Sequence, residues 1–198
     1  MRLVIERRDL LEALGHVASV VERRTTIPIL SNVLLKAGSQ GLEFKATDLE
    51  REVIEQSPAD VATPGAVTVP AHMLHDIVRK LPDGAQVELA TKEGATSVTV
   101  RSGRSTFTLQ ALPEADFPAT SKDKQPHSFT LSADSLKALI DHTRFAISTE
   151  ETRYYLNGIY LHAAAEEGGL LRAVATDGHR LARFQVPLPK GEIGRAHV

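Results

Sequence analysis

The chain repeats itself. Leu3-Val4-Ile5 followed by an amphipathic run from Asp9 to Val20 has a counterpart in Phe129-Thr130-Leu131 followed by Asp134 to Ile147. Glu12-Ala13-Leu14 and Lys137-Ala138-Leu139 fall at matching places in the two runs. Beyond them, Pro28-Ile29-Leu30-Ser31-Asn32 leads through an apolar stretch to Ala46-Thr47-Asp48-Leu49. Likewise Arg153-Tyr154-Tyr155-Leu156-Asn157-Gly158 leads to Ala175-Thr176-Asp177-Gly178-His179-Arg180-Leu181-Ala182. A unit that recurs after roughly 125 residues constrains architecture before any single motif does. The expected class is α+β, built from repeated strand-helix-strands units with helices on one face of antiparallel sheets.

Local patterns fill in this outline. Leu10, Leu14, Val17 and Val21 recur at helical spacing, with Asp9 as the expected N-cap. Val33 to Ala37 and Leu42 to Ala46 read as strands joined by a Gly38-to-Gly41 turn, and Glu50 to Gln56 alternates as a strand. Val67 to Val69 leads through Pro70 into a second helix ending near Lys80, with Met73, Leu74, Ile77 and Val78 as its apolar side. Leu81-Pro82-Asp83-Gly84 stops it. Gln86 to Thr91, Ser97 to Arg101 and Arg104 to Gln110 alternate as strands, the last two joined at Ser102-Gly103. Pro113, Pro118 and the polar run from Thr120 to Pro126 read as a linker. The predicted organisation is a complete first domain over 1–120, a linker over 121–126, and the first half of a second domain over 127–190. Ile193-Gly194-Arg195-Ala196-His197-Val198 reads as the translation of a sequencing adapter, so 191–198 is expected to be a non-native tail on a truncated gene.

Composition excludes several classes. The 198 residues contain no cysteine, which removes disulfides and thiolate metal sites and suits a cytoplasmic protein. No apolar run is long enough for a membrane span, so no membrane partner is expected. The formal net charge is −2, so any nucleic acid is not held by a global basic field.

Candidate chemistry is sparse. Asp177 and His179 offer a carboxylate beside an imidazole, which leaves a small hydrolase as the alternative reading. No nucleophile is placed by any recognised spacing, and Asp-Gly is a common turn pair, so no catalytic residue is assigned. His72 and His75 lie three apart on a helix, but no further ligand is implied, so neither a metal nor any other cofactor is expected. The helix faces carry Arg8, His16, Arg23 and Arg24, then His72, His75, Arg79 and Lys80, then Lys137, His142 and Arg144, with Glu12, Asp76 and Asp141 interleaved. The residues alone leave open whether these faces meet DNA or only solvent. Tyr154-Tyr155 beside Arg153 suits either stacking on nucleotides or aromatic packing.

Four strings together resemble the bacterial β sliding clamp family, the processivity subunit (beta subunit) of DNA polymerase III. They are Val-Arg-Ser-Gly-Arg-Ser at 100–105, Leu-Pro-Glu-Ala-Asp-Phe-Pro at 112–118, Arg-Tyr-Tyr-Leu-Asn-Gly at 153–158 and Ala-Thr-Asp-Gly-His-Arg-Leu-Ala at 175–182. The resemblance covers residues 1 to about 190. It implies the DNA-clamp fold, three domains per half-ring, and a non-catalytic DNA tether that closes as a homodimer when full length. It further implies that Leu156, Thr176, Gly178, His179, Arg180 and Leu181 line a groove for short peptide motifs of polymerases and the clamp loader. Arg24 and Tyr154 match positions that touch duplex DNA without regard to sequence. Arg104, Phe107 and Leu109 match the edge strand of the subunit interface.

Overall fold

The computed structural model describes residues 1–21, 25–92, 94, 96–118, 129–164, 169–189 and 196–197. The chain divides into two compact units, Met1–Ser121 and Lys122–Val198. Thr120 to Pro126, read as a linker, lies outside the described residues.

In the first unit, strand β1 (Arg2–Glu6) runs directly into helix α1 (Arg7–Val17). Asp9 is not the cap. It lies within the first turn, and the N-cap is Glu6, whose side chain makes no capping bond. The helix can start earlier because its first amide is satisfied from outside: Arg7 N–H donates to Ala85 O at 2.8 Å. Leu10, Leu14, Val17 and Val21 are all buried, as their spacing requires.

Strands β2 (Asn32–Gly38), β3 (Gly41–Thr47), β4 (Glu52–Ser57), β5 (Asp60–Thr63) and β6 (Gly65–Pro70) lead to helix α2 (Ala71–Arg79). Strands β7 (Gln86–Ala90), β8 (Ser97–Ser102) and β9 (Ser105–Gln110) complete the unit. Two antiparallel sheets result, in the orders β5-β1-β7-β8-β9 and β4-β3-β2-β6. The two copies exchange their leading strands: β1 pairs with β7 of the second copy, and β6 pairs with β2 of the first. One apolar core containing Leu3, Leu14, Leu35, Phe44, Leu74 and Leu89 therefore joins both sheets and both helices.

Three details differ from the sequence expectation. Strand β5 was not anticipated; Asp60-Val61-Ala62-Thr63 is short and mostly solvent-facing, and its pairing with β1 supplies the signal that its sequence lacks. Ser102 pairs with Ser105, so the hairpin loop is Gly103-Arg104, with Gly103 at φ +55°. Met73 is exposed, because α2 buries the stripe Ala71, Leu74 and Val78.

In the second unit, helix α3 (Ala133–Asp141) is capped by Ser132, whose hydroxyl accepts from Ser135 N–H at 3.2 Å. It stops well short of Ile147. Thr143 Oγ1 donates to the Leu139 carbonyl at 2.6 Å, and a 3₁₀ turn over Arg144–Ala146 follows. Phe129 forms a single bridge where a strand was expected. Strands β10 (Tyr160–Ala164), β11 (Leu170–Thr176), β12 (Leu181–Pro187) and β13 (Ala196–His197) form one antiparallel sheet, ordered β12-β11-β10-β13. Within the segment expected to be a tail, Ala196 and His197 pair with Leu161 and Tyr160. Leu139, Ile159, Leu171 and Ala173 form this unit's own core.

Candidate protein-docking site

Two turns of the second unit leave the same end of the β10–β11 ladder. Tyr160 pairs with Val174, so the 3₁₀ segment Glu151–Leu156, which enters β10, lies at the end where Thr176 leaves β11. The second turn is closed almost entirely by its own side chains. Thr176 Oγ1 donates to Arg180 O at 2.7 Å and accepts from Gly178 N–H at 3.1 Å. Asp177 Oδ1 accepts the His179 and Arg180 amides, each at 2.9 Å, while Arg180 Nε donates to Asp177 Oδ2 at 2.8 Å. These two amides, that of Arg180 first, hold the Asp177 carboxyl down to about 2, and the Arg180 side chain adds to the effect.

Arg153 ties the two turns together. Its Nη1 donates to the Asp177 carbonyl at 3.1 Å, and its Nε pairs with Glu150 at 3.0 Å. Asn157 secures the first turn: its amide nitrogen, assigned from its surroundings, donates to Ser148 O at 2.9 Å and Arg153 O at 3.2 Å. The result is a fixed polar frame that presents apolar groups to solvent. Leu181 is 66% exposed, Tyr155 and Phe145 are exposed, and Leu156 and Thr176 are half-buried. Gly178, His179 and Arg180 are exposed on the turn itself, and the Arg180 guanidinium lies 5.8 Å from the Phe145 ring centroid. An apolar surface rimmed by ordered polar groups is suited to taking a short peptide.

Arg153 and Phe145 were not singled out as site residues by sequence. Arg153 stood inside a quoted motif, but its reach to Asp177 depends on the fold. Phe145 was expected inside a helix, and the 3₁₀ turn exposes it instead.

The acid–base pairing of the hydrolase alternative is not made. The Asp177 carboxylate accepts the backbone amides of His179 and Arg180 and the Arg180 side chain. His72 Nε2 lies 2.9 Å from Val21 O, and no group of three or more His, Cys, Asp or Glu among the described residues is arranged to hold a metal ion.

The remaining sequence candidates fall elsewhere. Arg24 lies outside the described residues. Tyr154 is 79% exposed and packs edge-on to Tyr155 at 5.8 Å. On the helix faces, Arg8 meets Asp9 at 3.9 Å, Arg79 meets Asp76 at 3.3 Å, and both Lys137 and Arg144 meet Asp141. Arg104 is exposed in the β8–β9 loop, and Phe107 lines a cavity of about 490 Å³ with Met73, Ile77 and Leu81. Leu109 is different. Its side chain is only 2% exposed and belongs to the first unit's core, so only its backbone is available along edge strand β9. No helix among the described residues is long and apolar enough to cross a membrane.

Comparison with known proteins shows the family to which the chain belongs. Residues 1–121 match the family model described as DNA polymerase III beta subunit, N-terminal domain, and residues 130–198 match that of its central domain. The chain is 55% identical over 195 residues to a beta sliding clamp of Caulobacter vibrioides, covering 98% of this chain and 52% of that protein. It is 42% identical over 189 residues to the beta sliding clamp of Escherichia coli K12, covering 95% of this chain and 50% of that protein. The crystal structure of the C. crescentus beta sliding clamp superposes with a TM-score of 0.95 at 54% identity, over all of this chain and 54% of that one. The chain thus spans about half the length of the curated relatives it matches. It belongs to the DNA polymerase III beta subunit family, with the fold of the sliding clamps.

Proposed function

We propose that this chain is the N-terminal and central part of a sliding clamp: a non-enzymatic ring that encircles duplex DNA and tethers the replicative polymerase. Its place of action is the bacterial cytoplasm. The observation that carries the reading is the Arg153-braced pair of turns, which holds an exposed apolar patch on a clamp fold. That patch is the dock for short motifs of the polymerase and the clamp loader.

The charge distribution fits a ring better than an adhesive surface. Net charge is −2, and several cations of the helix faces are already paired with carboxylates. A protein that relied on phosphate contacts for affinity needs many free cations and is strongly salt-sensitive. A closed ring retains DNA by topology, so weak, sequence-neutral contacts are sufficient and permit sliding. Tyr154, and Arg24 by family position, serve as such contacts. Edge strand β9, with Arg104, Phe107 and the Leu109 backbone, supplies the seam at which two full-length subunits close.

The test is topological. Full-length protein loaded on nicked circular DNA should be retained through a high-salt wash and released when the circle is linearised. Equal release from circular and linear DNA would sink the clamp reading.

A further inference from the structure

Ladder registers place Leu30 of the first unit where Leu156 stands in the second. In β2–β3, Leu34 pairs with Lys45, two residues before Thr47. In β10–β11, Tyr160 pairs with Val174, two residues before Thr176. Leu34 therefore corresponds to Tyr160, Leu30 to Leu156, and Ile29 to Tyr155. Each trio follows or forms a 3₁₀ segment entering the first strand of its ladder. Their exposures differ sharply. Tyr155 is exposed and Leu156 half-buried, whereas Ile29, Leu30 and Leu34 are each 8% exposed.

The cover in the first unit comes from the chain's own segment after β9. Leu112 exchanges backbone hydrogen bonds with Thr68, both at 3.3 Å, and Thr68 Oγ1 adds a bond to Leu112 O at 2.9 Å. Asn32 fixes that hydroxyl by donating to it at 3.0 Å. A 3₁₀ turn over Glu114–Asp116, bracketed by Pro113 and Pro118, then delivers Phe117 onto Ile29, Leu30 and Leu34. Phe117 is 7% exposed, and these four side chains form a cluster separate from the main core. Beside the strap, a cavity of about 530 Å³ is lined by Lys36, Glu43, Lys45 and Glu114, with Lys45 paired to Glu52 at 2.6 Å. The prolines restrict the free segment, so little order is lost when it docks.

We propose that the first unit holds a second peptide-docking site, filled from within: Leu112 to Pro118 is an intramolecular ligand, and Phe117 is its anchor. The site takes an extended segment ending in a large aromatic or aliphatic side chain. Occupation in cis excludes other proteins from the first unit, leaving the second unit's patch as the one open to partners. The assignment rests on the docking reading of the second unit only for the class of ligand.

The experiment uses the 198-residue chain carrying Leu156→Asp, which silences the second unit's patch, and a synthetic acetylated peptide of residues 112–118. Binding is read from amide shifts of β2 and of the second unit separately. Adding Phe117→Ala should open the site, so that the peptide shifts the Leu30 and Leu34 amides and binds at least about tenfold tighter than to the Phe117-containing chain. Phe117→Leu, which keeps an apolar anchor in cis, should restore exclusion. Equal peptide binding with and without Phe117→Ala overturns the proposal. So does unfolding of the first unit by Phe117→Ala, because Phe117 would then be ordinary core. Failure of the docking reading shows differently: the parent chain with Leu156 intact would fail to shift second-unit amides with polymerase-derived peptide, whatever happens at Leu30.

Discussion

The two units contain the same turn twice, with the two middle residues exchanged: Leu49-Glu50 in the first and Gly178-His179 in the second. In the first, Thr47 Oγ1 donates to Arg51 O at 2.7 Å and accepts Leu49 N–H at 3.0 Å. Asp48 Oδ1 accepts the Glu50 and Arg51 amides at 3.1 and 2.7 Å, and Arg51 Nε reaches Asp48 Oδ2 at 2.9 Å. These bonds repeat the Thr176–Arg180 network, and Arg51 Nη2 adds one more to Asp48 Oδ2 at 2.6 Å. The left-handed position is Leu49 at φ +79° in the first unit and Gly178 at φ +89° in the second. A leucine there is strained. The second turn has a further reason for glycine: a Cβ on residue 178 would stand 3.1 Å from Arg153 Nη1. Thr-Asp-x-x-Arg is therefore a folding device shared by both units, and the brace from Arg153 distinguishes the second unit's turn from its copy.

The comparison can be broken in several places. The largest expected effect comes from charging the covered patch. Leu30→Asp should destabilise the first unit by about 3–5 kcal/mol in denaturant unfolding, because a carboxylate is buried without a partner. A loss below about 1 kcal/mol would mean that the Phe117 strap does not seal the site. Next is Gly178→Ala, expected to cost about 1–2 kcal/mol in the second unit from the left-handed backbone, with further loss as Arg153 is displaced. Leu49→Gly should act in the opposite direction. Relief of backbone strain exceeds the added unfolded-state entropy, giving a net gain of about 0.5 kcal/mol. If both substitutions destabilised equally, the two turns would not differ as described.

The smallest effect is with pH. Asp177 is held at about 2 in the folded chain against an ordinary 3.8, chiefly by the Arg180 and His179 amides. Asp48 is also lowered, first by the Arg51 amide. A depressed carboxyl stabilises the fold above its unfolded value and loses that contribution as pH falls through the folded one. Both turns should therefore weaken below about pH 4. Carboxyl titration by NMR should give Asp177 a midpoint near 2; a midpoint near 3.8 would refute the turn network.

Much of this was legible in the sequence, because repetition and periodicity are local signals. Leu10, Leu14 and Val17 identified a core face, and Thr47-Asp48 and Thr176-Asp177 marked corresponding turns. The failures depended on long-range partners. Asp9 looked like a cap, but Ala85 satisfies the helix start from 78 residues away in sequence. Asp60–Thr63 is a strand because β1 offers an edge to it. Leu109 and Phe107 share a strand face by parity, and only packing shows that Leu109 lies in the core while Phe107 lines a cavity. Pro113 and Pro118 read as part of a linker, whereas Phe117 between them is buried. A single aromatic within a proline-rich stretch was the available sign.

The central claim is that partner docking resides in the second unit's braced patch, separately from the grip on DNA. The direct measurement compares full-length protein with its Leu156→Asp variant, titrating polymerase-derived peptide and timing retention on nicked circular DNA. The account predicts a loss of roughly thirtyfold or more in peptide affinity, as for a groove anchor worth about 2 kcal/mol, with unchanged retention on the circle. Normal peptide affinity in the variant, or loss of the circle together with the peptide, would contradict it.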